Sequence, residues 1–147
     1  MPAAIVMLRL LAAAGLGGAI GVEREIRNKP AGLRTNMLIA VGSALFTVLS
    51  IQMGGDSVGR ITAQIVTGIG FIGAGAIMRS GENVHGITTA STIWVNAGVG
   101  MAAGSGQYGT ALVATVITLL VLVVLPPVED YFERKAGLDP SSTHERR

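Results

Sequence analysis

Five stretches of the chain are nearly free of charge, and polar or turn-forming residues separate them. They run from Ala3 to Val22, Asn36 to Met53, Ile61 to Met78, Ile87 to Ala103 and Tyr108 to Leu125. A helix needs roughly 20 mostly apolar residues to cross about 30 Å of hydrocarbon, and all five reach or approach that length. Arg9 interrupts the first, Arg60 and Arg79 bound the third, and the Leu- and Val-rich fifth closes at Pro126-Pro127. The fourth holds Thr88, Thr89, Ser91, Thr92 and Asn96. A span that polar is expected to face protein or water rather than lipid. Past the prolines, Val128, Tyr131, Phe132 and Lys135 recur at i, i+3, i+4 and i+7. This spacing predicts a short amphipathic helix that stops at Gly137, with Asp130 and Arg134 four apart and able to pair. Leu138 to Arg147 is expected to be disordered. The pattern divides the chain into a membrane domain at 1–127 and a tail at 128–147.

Composition supports lipid as the solvent. Of 147 residues, 50% are hydrophobic and 14% charged, where soluble domains carry about a quarter charged. Mean hydropathy is +0.57. The 21 glycines lie inside apolar runs and not in a G-X-Y frame, and there is no Cys. Collagen, a disulfide scaffold and a disordered chain are excluded. A net charge of +2 without a long basic patch argues against nucleic acid as a partner.

The basic residues sort by loop. Arg24, Arg27, Lys29, Arg34, Arg79, Arg134, Lys135, Arg146 and Arg147 fall on one side of a five-span bundle, and only Arg60 on the other. The positive-inside rule makes the richer side cytoplasmic. The predicted fold is therefore an all-α polytopic bundle of five transmembrane helices, with its N-terminus outside and its C-terminus cytoplasmic. A cleaved signal is not expected, because the n-region lacks Lys and Arg and Arg9 breaks the apolar run.

Small residues recur four apart at Ala14/Gly18, Gly17/Gly21, Gly70/Ala74 and Gly100/Gly104. This spacing lets membrane helices approach closely. Gly68, Gly70, Gly73 and Gly75 crowd one stretch of the third span. Tight packing at the bundle centre is the first expectation there, and a distorted helix lining a cavity the alternative. The formal G-x-G-x-x-G at Gly68, Gly70 and Gly73 lies inside an apolar span with no βαβ unit, so it is not a dinucleotide site.

Polar residues give few chemical options. Glu23-Arg24-Glu25 and Ala31-Gly32-Leu33-Arg34-Thr35 form a charged cytoplasmic edge, either a solvated topology signal or a docking surface. Glu23 and Glu25 are conceivable Mg²⁺ ligands, but four neighbouring basic residues oppose a cation cage. Arg60, Gln64 and Thr67 make a polar stripe on the third span. Thr88 or Thr89, Thr92 and Asn96 make one on the fourth. The two stripes are expected to meet, as interhelical hydrogen bonds or as a hydrated path. Arg9 is expected to snorkel outward or pair with Asp56. Trp94 is expected to pack inside the bundle, and His85 and His144 are isolated. The chain offers no Cys, no His-Asp-Ser arrangement, no paired acid inside a span and no P-loop, so neither catalysis nor a cofactor is expected.

Three stretches together resemble the MgtC/SapB family of bacterial inner-membrane proteins: GLGGAIGVEREIRNKPAGLRTNMLIAVGSALF (Gly15 to Phe46), RITAQIVTGIGFIGAGAIM (Arg60 to Met78) and VHGITTASTIWVNAGVGMAAG (Val84 to Gly104). The resemblance implies a five-span bundle with a cytoplasmic C-terminus. It implies signature residues at Glu23, Arg24, Glu25, Arg34, Thr35, Arg60, Gln64, Gly68, Gly70, Gly73, Gly75, Gly86, Thr88, Thr89 and Trp94. It also implies a regulatory role connected with low Mg²⁺ and stress, although the family was first named for magnesium transport. Virulence-associated members carry a further cytoplasmic domain, which this short form is expected to lack. Many members have a Cys after the tryptophan, where this chain has Val95, so thiol chemistry there is excluded. The expected function is a regulator or interaction protein of the bacterial inner membrane. It is expected to form a glycine-packed homo-oligomer and to bind a membrane-protein partner. The alternative is a channel or transporter for Mg²⁺ or a small solute.

Overall fold

The computed structural model describes residues 1–55, 57–81 and 83–135. The described residues form five helices and one small hairpin: α1 (Ala3–Ile26), α2 (Leu33–Met53), α3 (Ser57–Gly75), β1 (Met78–Ser80), β2 (Asn83–His85), α4 (Ile87–Ser105) and α5 (Tyr108–Lys135). Each predicted apolar stretch is thus a helix. Three of them, α1, α2 and the Tyr108–Glu129 part of α5, are long and apolar enough to cross a membrane, with mean hydropathies of 2.0, 1.6 and 2.7. The protein is a membrane protein by that measure. The shorter α3 and α4 carry the glycines and polar stripes that dilute their hydropathy.

Helix α4 touches all four other helices. It packs with α1 and α2 into a triad, α5 lies against α1 and α4, and α3 lies against α2 and α4. The triad core is built from small side chains, with Ala13, Ala40, Ala44, Val99 and Ala103 buried together. Small residues admit short interaxial distances, which membrane helices need because lipid gives them no hydrophobic drive to associate. The outside is apolar. Phe71 is 87% exposed and Leu38 72%, an arrangement suited to acyl chains and not to water.

Two boundaries differ from the sequence reading. The third helix stops at Gly75, and Met78 belongs to a two-stranded antiparallel hairpin pairing Met78 with His85 and Ser80 with Asn83. Gly81 turns the chain there at φ 61, the left-handed backbone that tight hairpins require. The expected break after Leu125 is absent, and α5 runs through Pro126 and Pro127 to Lys135. The two prolines leave the carbonyls of Leu122 and Val123 without their amide donors. The predicted stop at Gly137 and the disordered tail lie outside the described residues.

Candidate functional site

The corner between α1 and α2 holds the most charge. Arg24 is 3% exposed, and a buried cation needs a partner. Glu23 supplies it: Arg24 Nη2 donates to Glu23 Oε1 at 2.8 Å, and Arg24 Nε pairs with Oε2. Arg27 Nε also approaches Glu23 Oε1, at 2.7 Å. Glu25 caps the next helix, its Oε2 accepting the Leu33 amide at 2.9 Å. A negative group at a helix N-terminus satisfies a free amide and opposes the positive end of the dipole. Both acids are thereby engaged in the corner, with both oxygens of Glu23 and Oε2 of Glu25 turned to the chain's own donors. Arg34 and Thr35 stand exposed beside it on the first turn of α2.

Directly beneath lies a buried amide pair. Asn36 and Asn96 are both fully buried. Asn36 Nδ2 donates to the carbonyls of Ala31 at 2.7 Å and Gly32 at 2.9 Å, closing the loop onto α2. Asn96 Nδ2 donates across to Asn36 O at 2.8 Å and Oδ1 at 3.0 Å. Gly17 on α1 makes room, since a Cβ there would lie 3.0 Å from Asn36 O and 3.2 Å from Asn96 Oδ1. Asn96 Oδ1 is left without a hydrogen-bond partner among the described residues.

The two polar stripes do not meet. Thr89, Thr92 and Asn96 turn into the triad, and Thr92 Oγ1 donates back to Thr88 O at 2.7 Å. Thr88 itself is exposed. Arg60 and Gln64 face the other way, into a groove between α2 and α3. Thr67 is exposed and bonds to Ala63 O at 3.1 Å. The α3–α4 contact is instead apolar, with Ile65, Ile69, Ile93 and Ala97 buried in one cluster. Isoleucines at i and i+4 occupy the side of α3 that the polar stripe was expected to hold.

The glycine-rich stretch is also corrected. Helix α3 is unbroken, and a Cβ at Gly68, Gly70 or Gly75 would meet nothing within 4 Å. Only Gly73 is buried, with its would-be Cβ 3.5 Å from Ala90 O. Gly68 lines the groove. Trp94 is 55% exposed and not packed inside. It shares an outward stripe of α4 with Ile87, Ser91 and Gly98. Gly86 has a definite structural duty. Its φ is 87, and a Cβ would run into the carbonyl oxygen of Ala76, so no other residue fits.

The expected Asp56 partner of Arg9 lies outside the described residues, and Arg9 itself is half-buried. Its Nη1 donates to Gly104 O at 2.8 Å, covering the negative end of α4. That end is closed by Gly106 at φ 85, with Gln107 N bonding Ala102 O at 2.9 Å and Gly106 N bonding Ala103 O at 3.0 Å, the double closure of a Schellman turn.

Among the described residues no three His, Cys, Asp or Glu side chains come together as a metal site. The profile of the MgtC family matches residues 10–131. The chain is 54% identical to Protein MgtC of Salmonella typhimurium (strain LT2) over 119 residues, covering 81% of this chain and 52% of that protein. It is 50% identical over 127 residues to a protein of Escherichia coli (strain K12) named "Putative magnesium transporter YhiD", covering 80% of this chain and 59% of the other. It is 50% identical over 122 residues to Protein MgtC of Brucella abortus, covering 82% and 51%. The chain spans about half the length of these curated relatives. No solved structure matches it.

Proposed function

Because the chain belongs to the MgtC family, we propose that it acts as a magnesium-linked regulator or interaction protein in the bacterial inner membrane and not as a conduit. All five helices cross the bilayer in this reading, with the N-terminus outside and the corner of Glu23, Arg24 and Arg34 in the cytoplasm, an orientation supported by the distribution of basic residues. The observation that carries it is the isoleucine plug of Ile65, Ile69 and Ile93 between α3 and α4. A path for a hard divalent cation needs oxygen ligands or water along its length. The plug offers neither, and among the described residues the only charge lining the α2–α3 groove is positive. Self-association through the open Gly70/Ala74 face of α3 supplies the homo-oligomer, and the exposed Arg34 supplies a contact for a membrane-protein partner. The role uses no catalytic group and no cofactor.

Two measurements test this together. In a bacterium lacking its own family member, the chain is expected to restore growth at low Mg²⁺, and Arg34→Ala to abolish that support with membrane insertion unchanged. Proteoliposomes holding the purified protein are expected to take up Mg²⁺ no faster than empty vesicles. Transport is the second reading, favoured by the name of the Escherichia coli relative. Saturable Mg²⁺ uptake would establish it and end the regulator reading.

A further inference from the structure

The groove between α2 and α3 encloses about 950 Å³, at the upper end of the roughly 300–1,000 Å³ typical of ligand pockets. Its walls are almost wholly apolar, with Leu38, Phe46 and Leu49 on α2 facing Ile61 and Ile72 on α3. We propose that it holds an anionic phospholipid, one acyl chain lying along the groove and the phosphate held by Arg60. The inference rests on the bilayer placement proposed above and is independent of the regulator reading.

Three observations converge on that occupant. First, the α3 wall of the groove runs from charged to apolar along its axis, while α2 adds only the hydroxyls of Ser43 at mid-groove and Thr35 at the far end. Arg60 stands in the first turns of α3, Gln64 one turn further in, and Gly68 and Ile72 beyond. A phospholipid presents phosphate, ester and alkyl chain in the same order. From Arg60 to Ile72 the groove runs roughly 18 Å at about 1.5 Å per residue, more than half of a hydrocarbon core about 30 Å thick. Second, Arg60 is the single charged residue lining the groove, and it is exposed and paired with no acid among the described residues. A guanidinium at the membrane surface selects phosphate. Third, Gly42 and Gly68 both line the groove with nothing within 4 Å of a would-be Cβ. Their missing side chains leave a slot where two close-packed helices would have had contact.

That open space makes the test practicable, because the Cβ of a leucine at Gly68 meets nothing within 4 Å and its branches extend into the groove that Gly68 lines. The protein is extracted from membranes in mild detergent, washed, and titrated with phosphatidylglycerol or phosphatidylethanolamine under native mass spectrometry. The unaltered chain is expected to retain one lipid and to prefer phosphatidylglycerol. Arg60→Gln is expected to reduce that preference about fivefold, the worth of one basic residue at an anionic surface. Gly68→Leu is expected to abolish the bound lipid. Gly98→Leu, which adds the same bulk on the outward side of α4, is expected to keep it. Lipid binding that Gly68→Leu and Arg60→Gln leave unchanged would overturn the proposal. So would a second copy of the chain filling the groove, seen as a dimer that Gly68→Leu dissociates. Failure of the bilayer placement itself would show separately, as release of the chain from membranes by alkaline carbonate.

Discussion

Glycine does opposite things on the two sides of α4. Toward α1 and α2 it brings backbones together: a Cβ at Gly100 would stand 2.9 Å from both the Cα and the carbonyl carbon of Ala40, and one at Gly104 would stand 2.8 Å from Ala44 Cα. On α3 the denser glycines touch almost nothing, with open space at Gly68, Gly70 and Gly75. The residue type and the spacing of four are common to both sides. What differs is whether a second helix of the same chain lies across the small face. On the triad side the missing side chain is a condition of folding. On the α3 side it leaves a surface available to lipid or to another molecule.

The sharpest way to break this contrast uses charge. Glu23→Ala strands Arg24 in a buried position without its carboxylate, which typically costs about 3–5 kcal/mol. Arg60→Ala removes an exposed cation from the groove and is expected to change stability by less than about 0.5 kcal/mol. Thermal unfolding in detergent measures both. Equal losses would mean that the groove is as much a part of the folded core as the corner.

A smaller effect of both signs is expected from the glycines. Gly100→Ala drives a methyl group into the Ala40 backbone, and overpacking of that kind costs about 1–3 kcal/mol. Gly70→Ala meets open space and is expected to be neutral or to stabilise the helix by up to about 1 kcal/mol. The same unfolding assay on the two variants reads the sign. A destabilising Gly70→Ala would show that this face is already covered in the detergent-solubilised protein.

Much of the architecture was legible in the order of residues because hydrophobic run length is a strong constraint in lipid. The five helices lie where the apolar stretches lie, within a few residues except at the end of α5, which continues past Leu125 to Lys135. The hairpin at Met78–His85 was missed because three-residue strands carry too little pattern to see. The partners of the polar residues were not legible. Asn36 opens an apolar run and looked like a boundary, yet it is the hub that joins the Ala31 and Gly32 carbonyls to Asn96. Its signal was an amide at the inner start of a span, where lipid would punish an unsatisfied group. The stripe of Arg60, Gln64 and Thr67 was correctly placed on one helix and assigned the wrong neighbour, because helical spacing gives a face and not what lies opposite. The same applies to Trp94. Of the resembling signature, Glu23, Glu25 and Gly86 have structural duties that explain their identity, whereas Gly68, Gly70 and Gly75 meet no neighbour among the described residues that would require glycine.

Arg9 supplies the finest test of the triad side. It lies roughly 9 Å in from the start of α1, at about 1.5 Å per residue, level with the last turn of α4. Its Nη1 holds Gly104 O, and its guanidinium lies where a Cβ at Gly106 would be, with Nη2 at 2.9 Å. Two effects oppose each other. A cation at a helix C-terminus gains from the dipole and from a charge-assisted hydrogen bond. The Nε of the same group is buried without a partner among the described residues, and that desolvation subtracts from the gain. The net loss in Arg9→Met is therefore expected to be about 1 kcal/mol, smaller than that of Glu23→Ala or Gly100→Ala, with Arg9→Lys falling between because it keeps the charge and loses the fork. Thr67→Ala on α3 is the matched control, since that hydroxyl bonds only within its own helix. Amide hydrogen exchange in the last turn of α4 localises the effect: faster exchange at Ser105 and Gly106 in Arg9→Met is expected, with α3 unchanged. A more stable Arg9→Met would mean that desolvation of the guanidinium outweighs the cap, and that α4 is closed by the Gly106 turn alone.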